Sequence, residues 1–482
     1  MSPELSGEGT GDASGSRRRF LALAAAGVAG VAGCSTGTGD RTPTDAGASG
    51  GGSGTDPADG GTGSPGGTAG GSGDLVGQPL AAWSAYDPEW EPPTTSPLAS
   101  DYEVEVLVEN LEIPWDVAFA PDGTVFLTER VGRVLRFQDG EVRPVATPEG
   151  AIDAGSIEPG SDENSWLLKG GEGGTLGIAV HPAFPDPSLV YVYYTHKGED
   201  GTYNKVDAFD VESDNPGTPV RTVVDEIPAD TYHNGGRIAF GPRNYLWVTC
   251  GDALDGTRAQ DLSSLGGKFL RVTPEGDPAP GNPGYDDGDR RVFSYGHRNP
   301  QGIVWLPDGT PVGIEHGPHG RDEFNRLEPG ANYGWGGEDE RIRNRDQYPD
   351  AGVHKPLYST GSNSFAPTGS VFYTGDAVPE LRNRMLTGGL ISQQVVATTL
   401  TPSGGDLPPA EDAYEQVTDA EWSDPDYAAT VHRLLRNELG RIRTVAQGPD
   451  GNIYACTSNR DGRAKEGFPR DIDDVLVRIR PA

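Results

Sequence analysis

The segment "TYHNGGRIAFGP" (231–242) sets His233 beside an amide and two glycines just before an alternating strand, and "CGD" (250–252) places Asp252 just after the next strand. If the two strands form a hairpin, both residues lie at its open end. A carboxylate beside an imidazole fixes its tautomer and raises its basicity, which is what a general base requires. The same pair also serves as a capped loop histidine held by a turn aspartate. Gly235 and Gly236 lack side chains and are expected to leave room for a bulky group near the backbone.

Two further sets of residues carry chemistry. Arg441 and Arg443 in "RIRTV" share strand parity, so their guanidinium forks point the same way, and they suit a ligand with several carboxylates. Pairing with local acids is the competing use. "EHGPHGRDEFNRLEPGANYGWG" (315–336) packs Gly, Pro, Asp and Glu into a turn whose carbonyls and carboxylates are hard ligands suited to Ca²⁺. It lacks EF-hand spacing, and His316 and His319 lack the paired-cysteine or HExxH pattern of zinc sites.

The elements that must position these residues recur. Six related hairpins begin at Trp115, Gly177, Gly236, Gln301, Gly369 and Arg441. Each joins two short alternating strands through a Pro, Asp, Gly or Asn turn. Their spacing leaves room for two more strands apiece, which predicts an all-β, six-bladed β-propeller rather than a two-sheet sandwich. In a propeller the same strand of every blade sits at the same radius. Residues leading into each first strand therefore converge on one mouth of the central channel. Glu172, His233, Arg298, Asn299, Arg441 and Arg443 all occupy such positions, together with the hairpin exits at 250–252 and 315–323.

Composition narrows the partners. Asp and Glu total 72 against 38 Lys and Arg, a formal charge of −34 over 482 residues. Such a surface repels nucleic acid and anionic membranes. It resembles the composition of proteins adapted to molar salt, where screening shortens to about 3 Å. Three cysteines are too few for a disulfide scaffold, and Cys250 and Cys456 are expected as buried free thiols.

Three domains are expected. Residues 1–34 read as an export signal: Arg17, Arg18 and Arg19 resemble a twin-arginine motif, and "VAGC" resembles a lipobox that would make Cys34 the lipidated residue. The alternative is an ordinary cleaved signal. Residues 35–100 read as a flexible Gly/Ser/Thr/Asp-rich linker and 101–482 as the propeller. The folded body is thereby expected outside the cytoplasm, held to the membrane only through its lipid.

From about residue 103 to 480 the chain resembles the soluble pyrroloquinoline quinone (PQQ)-dependent sugar dehydrogenases, the glucose/sorbosone dehydrogenase family. "LEIPWDVAFAPDGTVFLTERVGRVLRF", "GGTLGIAVHPAF", "YGHRNPQGIVW", "EHGPHGRDEFNRLEPGANYGW" and "RIRTVAQGPDGNIY" follow the family's order. The resemblance implies oxidation of aldoses at the anomeric carbon to lactones, with PQQ and Ca²⁺ as cofactors and an external electron acceptor. It makes His233 the base, Asp252 its orienting partner, and Arg298 and Asn299 stabilisers of charge on the quinone oxygen. Arg441 and Arg443 would hold the quinone carboxylates. The Gly317 and Pro318 carbonyls would bind one calcium, and Glu323 with the Tyr333 carbonyl a second. Gly235 and Gly236 would clear space for the flat quinone. Three positions depart from the family: Glu172 replaces a glutamine, Ile391 a lysine, and Tyr232 the acid preceding the base. A carbohydrate- or protein-binding propeller without quinone, and a metal-dependent lactonase, are the alternative functions.

Overall fold

The computed structural model describes residues 75–152, 171–336 and 344–482. The signal and the first part of the expected linker lie outside them. Among the described residues the strands form six antiparallel sheets, five of four strands and one of five. The fold is a six-bladed propeller.

Each of the six sequence hairpins forms the first two strands of one blade. In the third blade, for example, Ile238–Phe240 pairs with Leu246–Cys250 in the register Ile238↔Val248. Their short, mostly apolar runs follow from position, since neighbouring blades cover both faces and all five residues of Leu246–Cys250 are buried. Tyr191, Val206 and Val224 of the second blade pack against Val248, Leu270 and Val292 of the third. Leu386 and Ala397 of the fifth meet Val445 and Val477 of the sixth. Cys250 and Cys456 are buried free thiols in the third and sixth blades, three blades apart.

The ring closes with strands from both ends of the described chain. Tyr102–Val108 adds to Leu476–Pro481 as the outer strand of the sixth blade, with Val104 opposite Ile479 and Val106 opposite Val477. That closure was not evident from the repeats.

The expected linker is too long at its C-terminal end. From Leu75 the chain is laid across the propeller, on the side where the first and second strands of the blades turn. Gly77 N donates to Arg243 O (2.8 Å) and Gln78 Nε2 to Pro242 O (2.9 Å) at the third blade. Asp87 N donates to Pro307 O (2.9 Å) at the fourth, and Trp90 meets Phe372 edge-on at 5.2 Å in the fifth. Leu80, Trp83 and Trp90 give this stretch the apolar surface that the preceding Gly/Ser-rich residues lack.

Candidate active site

At the opposite end of the channel, where first strands begin and second strands finish, lies a cavity of about 540 Å³. His233, Arg298, Asn299, Glu172, Gly317, Arg441 and Arg443 all line it. The convergence expected from the repeat is thus present. Below it Arg237 ion-pairs with Asp116 and lies 4.3 Å over the Trp115 ring, and beyond that pair the channel holds another pocket of about 250 Å³.

His233 sits at φ 63°, a left-handed conformation that turns its ring toward the cavity. Its Nδ1 is 2.7 Å from Asp252 Oδ1. Asp252 is buried, and it also accepts from Leu254 N (3.0 Å) and from Trp335 Nε1 (2.7 Å). A carboxylate accepts, so the ring hydrogen belongs on Nδ1 and Nε2 keeps its lone pair. Asp252 is in turn fixed by the indole. The imidazole is thus held in one orientation with Nε2 left to accept a proton.

Gly235 and Gly236 have a different use from the one expected. Neither lines the cavity. A Cβ on Gly235 would sit 2.5 Å from Thr249 O, and one on Gly236 2.7 Å from Leu176 Cδ1. Both have positive φ, so they let the segment fold back tightly onto its own hairpin and the adjoining blade. Gly251 does the same on the return strand, where a Cβ would meet His233 O at 1.9 Å.

The two arginines differ in their partners. Arg441 donates through Nε and Nη2 to Asp461 Oδ2 (2.9 and 2.7 Å). Arg443 reaches the same oxygen only at 3.9 Å and donates to Gln301 Oε1 at 3.1 Å, leaving Nε buried without a partner. Burial pushes the Arg443 guanidinium down to about 9, against the pull of Asp461 and with the repulsion of Arg130 and Arg441. One carboxylate is shared between two buried cations. The site therefore lacks negative charge.

Glu172 supplies some. Its Oε2 accepts from His233 N (2.9 Å) and Asn299 Nδ2 (3.2 Å), and Oε1 lies 3.4 Å from Arg463 Nη1. Burial pushes this carboxyl up, but the charges of His316, His233 and Arg463 and the His233 N–H outweigh it and hold the group below the usual carboxylate range. Asn299 is consequently occupied, with Oδ1 accepting from Gly235 N (3.0 Å) and its amide nitrogen on Glu172.

The metal positions divide. The Gly317 carbonyl accepts from Arg298 Nη1 (3.2 Å) and the Pro318 carbonyl from Arg321 Nη1 (3.1 Å). Two guanidinium groups stand where a divalent cation would have to add its own charge. At about 4 Å each unit pair of like charges costs about 4 kcal/mol at an effective dielectric of 20. This donor set, expected to bind calcium, does not fit it as arranged. Glu323 is different. Its carboxylate bonds to the buried Tyr348 hydroxyl and faces Glu315 across the strand pair. Burial and the Glu315 charge push it up to about 8. With Tyr333 it lines a cavity of about 20 Å³, room for one water or ion. Arg298 and Arg321 line this cavity as well, so a hard cation fits there only against the Glu315 and Glu323 carboxylates. Among the described residues no three His, Cys, Asp or Glu side chains are grouped to hold a metal, which is the arrangement the lactonase alternative requires.

Asp461, Arg463, Gln301 and Trp335 were not singled out in the sequence. Asp461 and Arg463 follow the last hairpin in "SNRDGR", the same hairpin-exit position that identifies Asp252, so the signal was present. Trp335 stands some eighty residues from the aspartate it orients, and nothing in the spacing links them.

The fold and site together define a six-bladed propeller with an oriented histidine and buried arginines at one channel mouth. Residues 111–466 match the family model for glucose/sorbosone dehydrogenase, and the chain belongs to that family. It is 29% identical over 396 residues to aldose sugar dehydrogenase YliI of Escherichia coli, covering 79% of this chain and 95% of that protein. The PQQ-bound aldose sugar dehydrogenase of Streptomyces coelicolor superposes with a TM-score of 0.61 at 29% identity, over 81% of this chain and all of that one. The apo-form E. coli soluble aldose sugar dehydrogenase gives 0.60 at 26% identity, over 79% and 100%.

Proposed function

We propose that this protein is a PQQ-dependent dehydrogenase that oxidises aldoses at the anomeric carbon to lactones. The observation that carries it is the His233–Asp252 pair, with Nε2 free, on the wall of a cavity lined by four arginines and two carboxylates. That ratio inverts the chain's own balance. The unpartnered Nε atoms of Arg443 and Arg298 add two buried donors in want of an acceptor. A flat anion with several carboxylates answers both.

In this reading Arg443, Arg441 and Arg463 would hold the cofactor, and Arg298 would stabilise negative charge developing on it. The chemistry that PQQ supplies when bound is acceptance of a hydride from the sugar's anomeric carbon. His233 Nε2 takes the proton of the anomeric hydroxyl, and Asp252 stabilises the imidazolium that results. Trp335 keeps Asp252 from rotating away, and Arg298, preorganised by the carbonyls of His316 and Gly317, offsets developing negative charge. The reaction so described uses no calcium at Gly317 and Pro318; a cation at Glu323 would serve the stability of the loop that carries Trp335. Arg17–Arg19 and "VAGC" support export and a lipid anchor at Cys34, with the propeller outside the cytoplasm.

The test is titration with PQQ in high salt, followed by bound-cofactor absorbance and by dye reduction with a panel of aldoses. Saturable binding and sugar-dependent reduction are expected. Absence of both would favour a carbohydrate-binding propeller without quinone, the reading that Glu172 and Ile391 support. A companion variant isolates Glu172. Glu172→Gln keeps an acceptor for the His233 N–H and removes one negative charge from the path of an anionic ligand. PQQ affinity should rise about tenfold, or about 1.4 kcal/mol. Unchanged affinity would mean that Arg463 already neutralises it.

A further inference from the structure

Beyond Ser364 and Ile391, which wall the cavity on one side, lies a second pocket of about 400 Å³ that shares both residues. Its lining includes Arg433, Arg436 and Lys465 and no carboxylate, in a chain with 72 acidic residues against 38 basic ones. Among the described residues none of the three cations is within ion-pair distance of an acid. Arg433 lies 4.2 Å over the Tyr414 ring, and Tyr414 packs on Phe365 at 5.4 Å. Lys465 Nζ donates to Ile391 O (2.6 Å), which ties the pocket to the rim of the main cavity. Gln394 also lines the pocket; it is 2% exposed, and its Nε2 donor has no hydrogen-bond partner among the described residues. A buried amide, an aromatic ring already backed by Arg433 and three cations with no acid beside them are the equipment for a sugar ring that bears an anionic group.

We infer that this pocket is a subsite for an anionic sugar unit, so that the substrate is an acidic oligosaccharide whose reducing end reaches His233 past Ile391. The inference rests on the proposed sugar oxidation and deepens it. The carboxylate of a uronate and a sulfate ester share the required charge and acceptor oxygens, and either would engage Arg433 and Arg436 with the neighbouring ring against Tyr414.

Three reducing disaccharides distinguish the outcomes: cellobiose, glucuronosyl-glucose, and cellobiose sulfated on its non-reducing ring. Calorimetry on protein without added quinone reads binding independently of turnover, and KM is read with quinone-loaded protein. One or both acidic sugars should bind about tenfold or more tightly than cellobiose, the scale of one charged hydrogen bond. Which of them does so identifies the anionic group. The advantage should vanish in Arg433→Gln/Arg436→Gln. Arg436 is exposed, so Arg436→Gln alone, which does not threaten folding, should lose part of it. Equal affinity for all three sugars, or a preference that survives the double variant, overturns the subsite. Tight acidic-sugar binding without turnover of any sugar leaves the subsite standing and removes the dehydrogenase reading. Turnover without an acidic advantage does the reverse.

Discussion

Replacing His233 by asparagine is expected to lower sugar-dependent dye reduction by about 10²–10⁴-fold, the usual contribution of a positioned base. PQQ binding should stay nearly unchanged. Asparagine is the better variant than alanine because residue 233 sits at φ 63°, where alanine is strained and asparagine is tolerated. Its side chain still reaches toward Asp252 but offers no nitrogen lone pair to the sugar. The backbone N–H of residue 233 continues to donate to Glu172, so the cavity wall is retained. Bound-cofactor absorbance and turnover are to be measured on the same sample. Loss of both together would show that His233 holds the cofactor instead of moving a proton.

The second large effect separates two arginines that look equivalent in "RIRTV". Arg443→Met should weaken PQQ binding by about 1.5–3 kcal/mol, one charged hydrogen-bonding contact, without unfolding the protein. Asp461 keeps Arg441 as its partner in that variant. Arg441→Met is expected to behave differently. It leaves the Asp461 carboxylate, which is 2% exposed, with only the long 3.9 Å contact to Arg443 as a charged partner, and removing one partner of a buried pair typically costs about 3–5 kcal/mol. Arg441→Met/Asp461→Asn should recover most of that stability. Melting curves of the three variants, with PQQ titrations on those that fold, decide the matter. Equal melting temperatures for Arg441→Met and Arg443→Met would sink the distinction.

The blades were legible because hairpin alternation is a local property that each strand pair carries in its own residues. Their convergence on one mouth then followed from geometry alone, and it brought Glu172, His233, Arg298 and Arg443 to one cavity. What the sequence hid were relations between distant residues. The glycines at 235 and 236 announce a missing side chain but not what fills the space, and here it is the protein's own backbone. Arg441 announces a charge but not that Asp461 already holds it. Likewise the carbonyls of Gly317 and Pro318 read as ligands for a cation, and the cation nearest to them is a side chain. Tyr102–Val108 alternates as a strand should, yet nothing local says that it completes the blade formed by the C-terminus.

The course of Leu75–Ser100 has a consequence for attachment. This stretch runs from the third blade toward the sixth along the side where the hairpins turn, and the mouth that holds His233 opens on the other. Anything joined upstream of Leu75 therefore pulls on the back of the disc. A bead or an electrode joined directly at Leu75 leaves the opening facing away from the mount, toward arriving sugar. A support grafted after Ala482 gains the same bearing, because the last strand is zipped to Tyr102–Val108 and Ala482 N itself bonds to Asp101 O (3.0 Å), next to the strap. The two handles leave the same face at different blades, the upstream one at the third and the C-terminal one at the outer edge of the sixth.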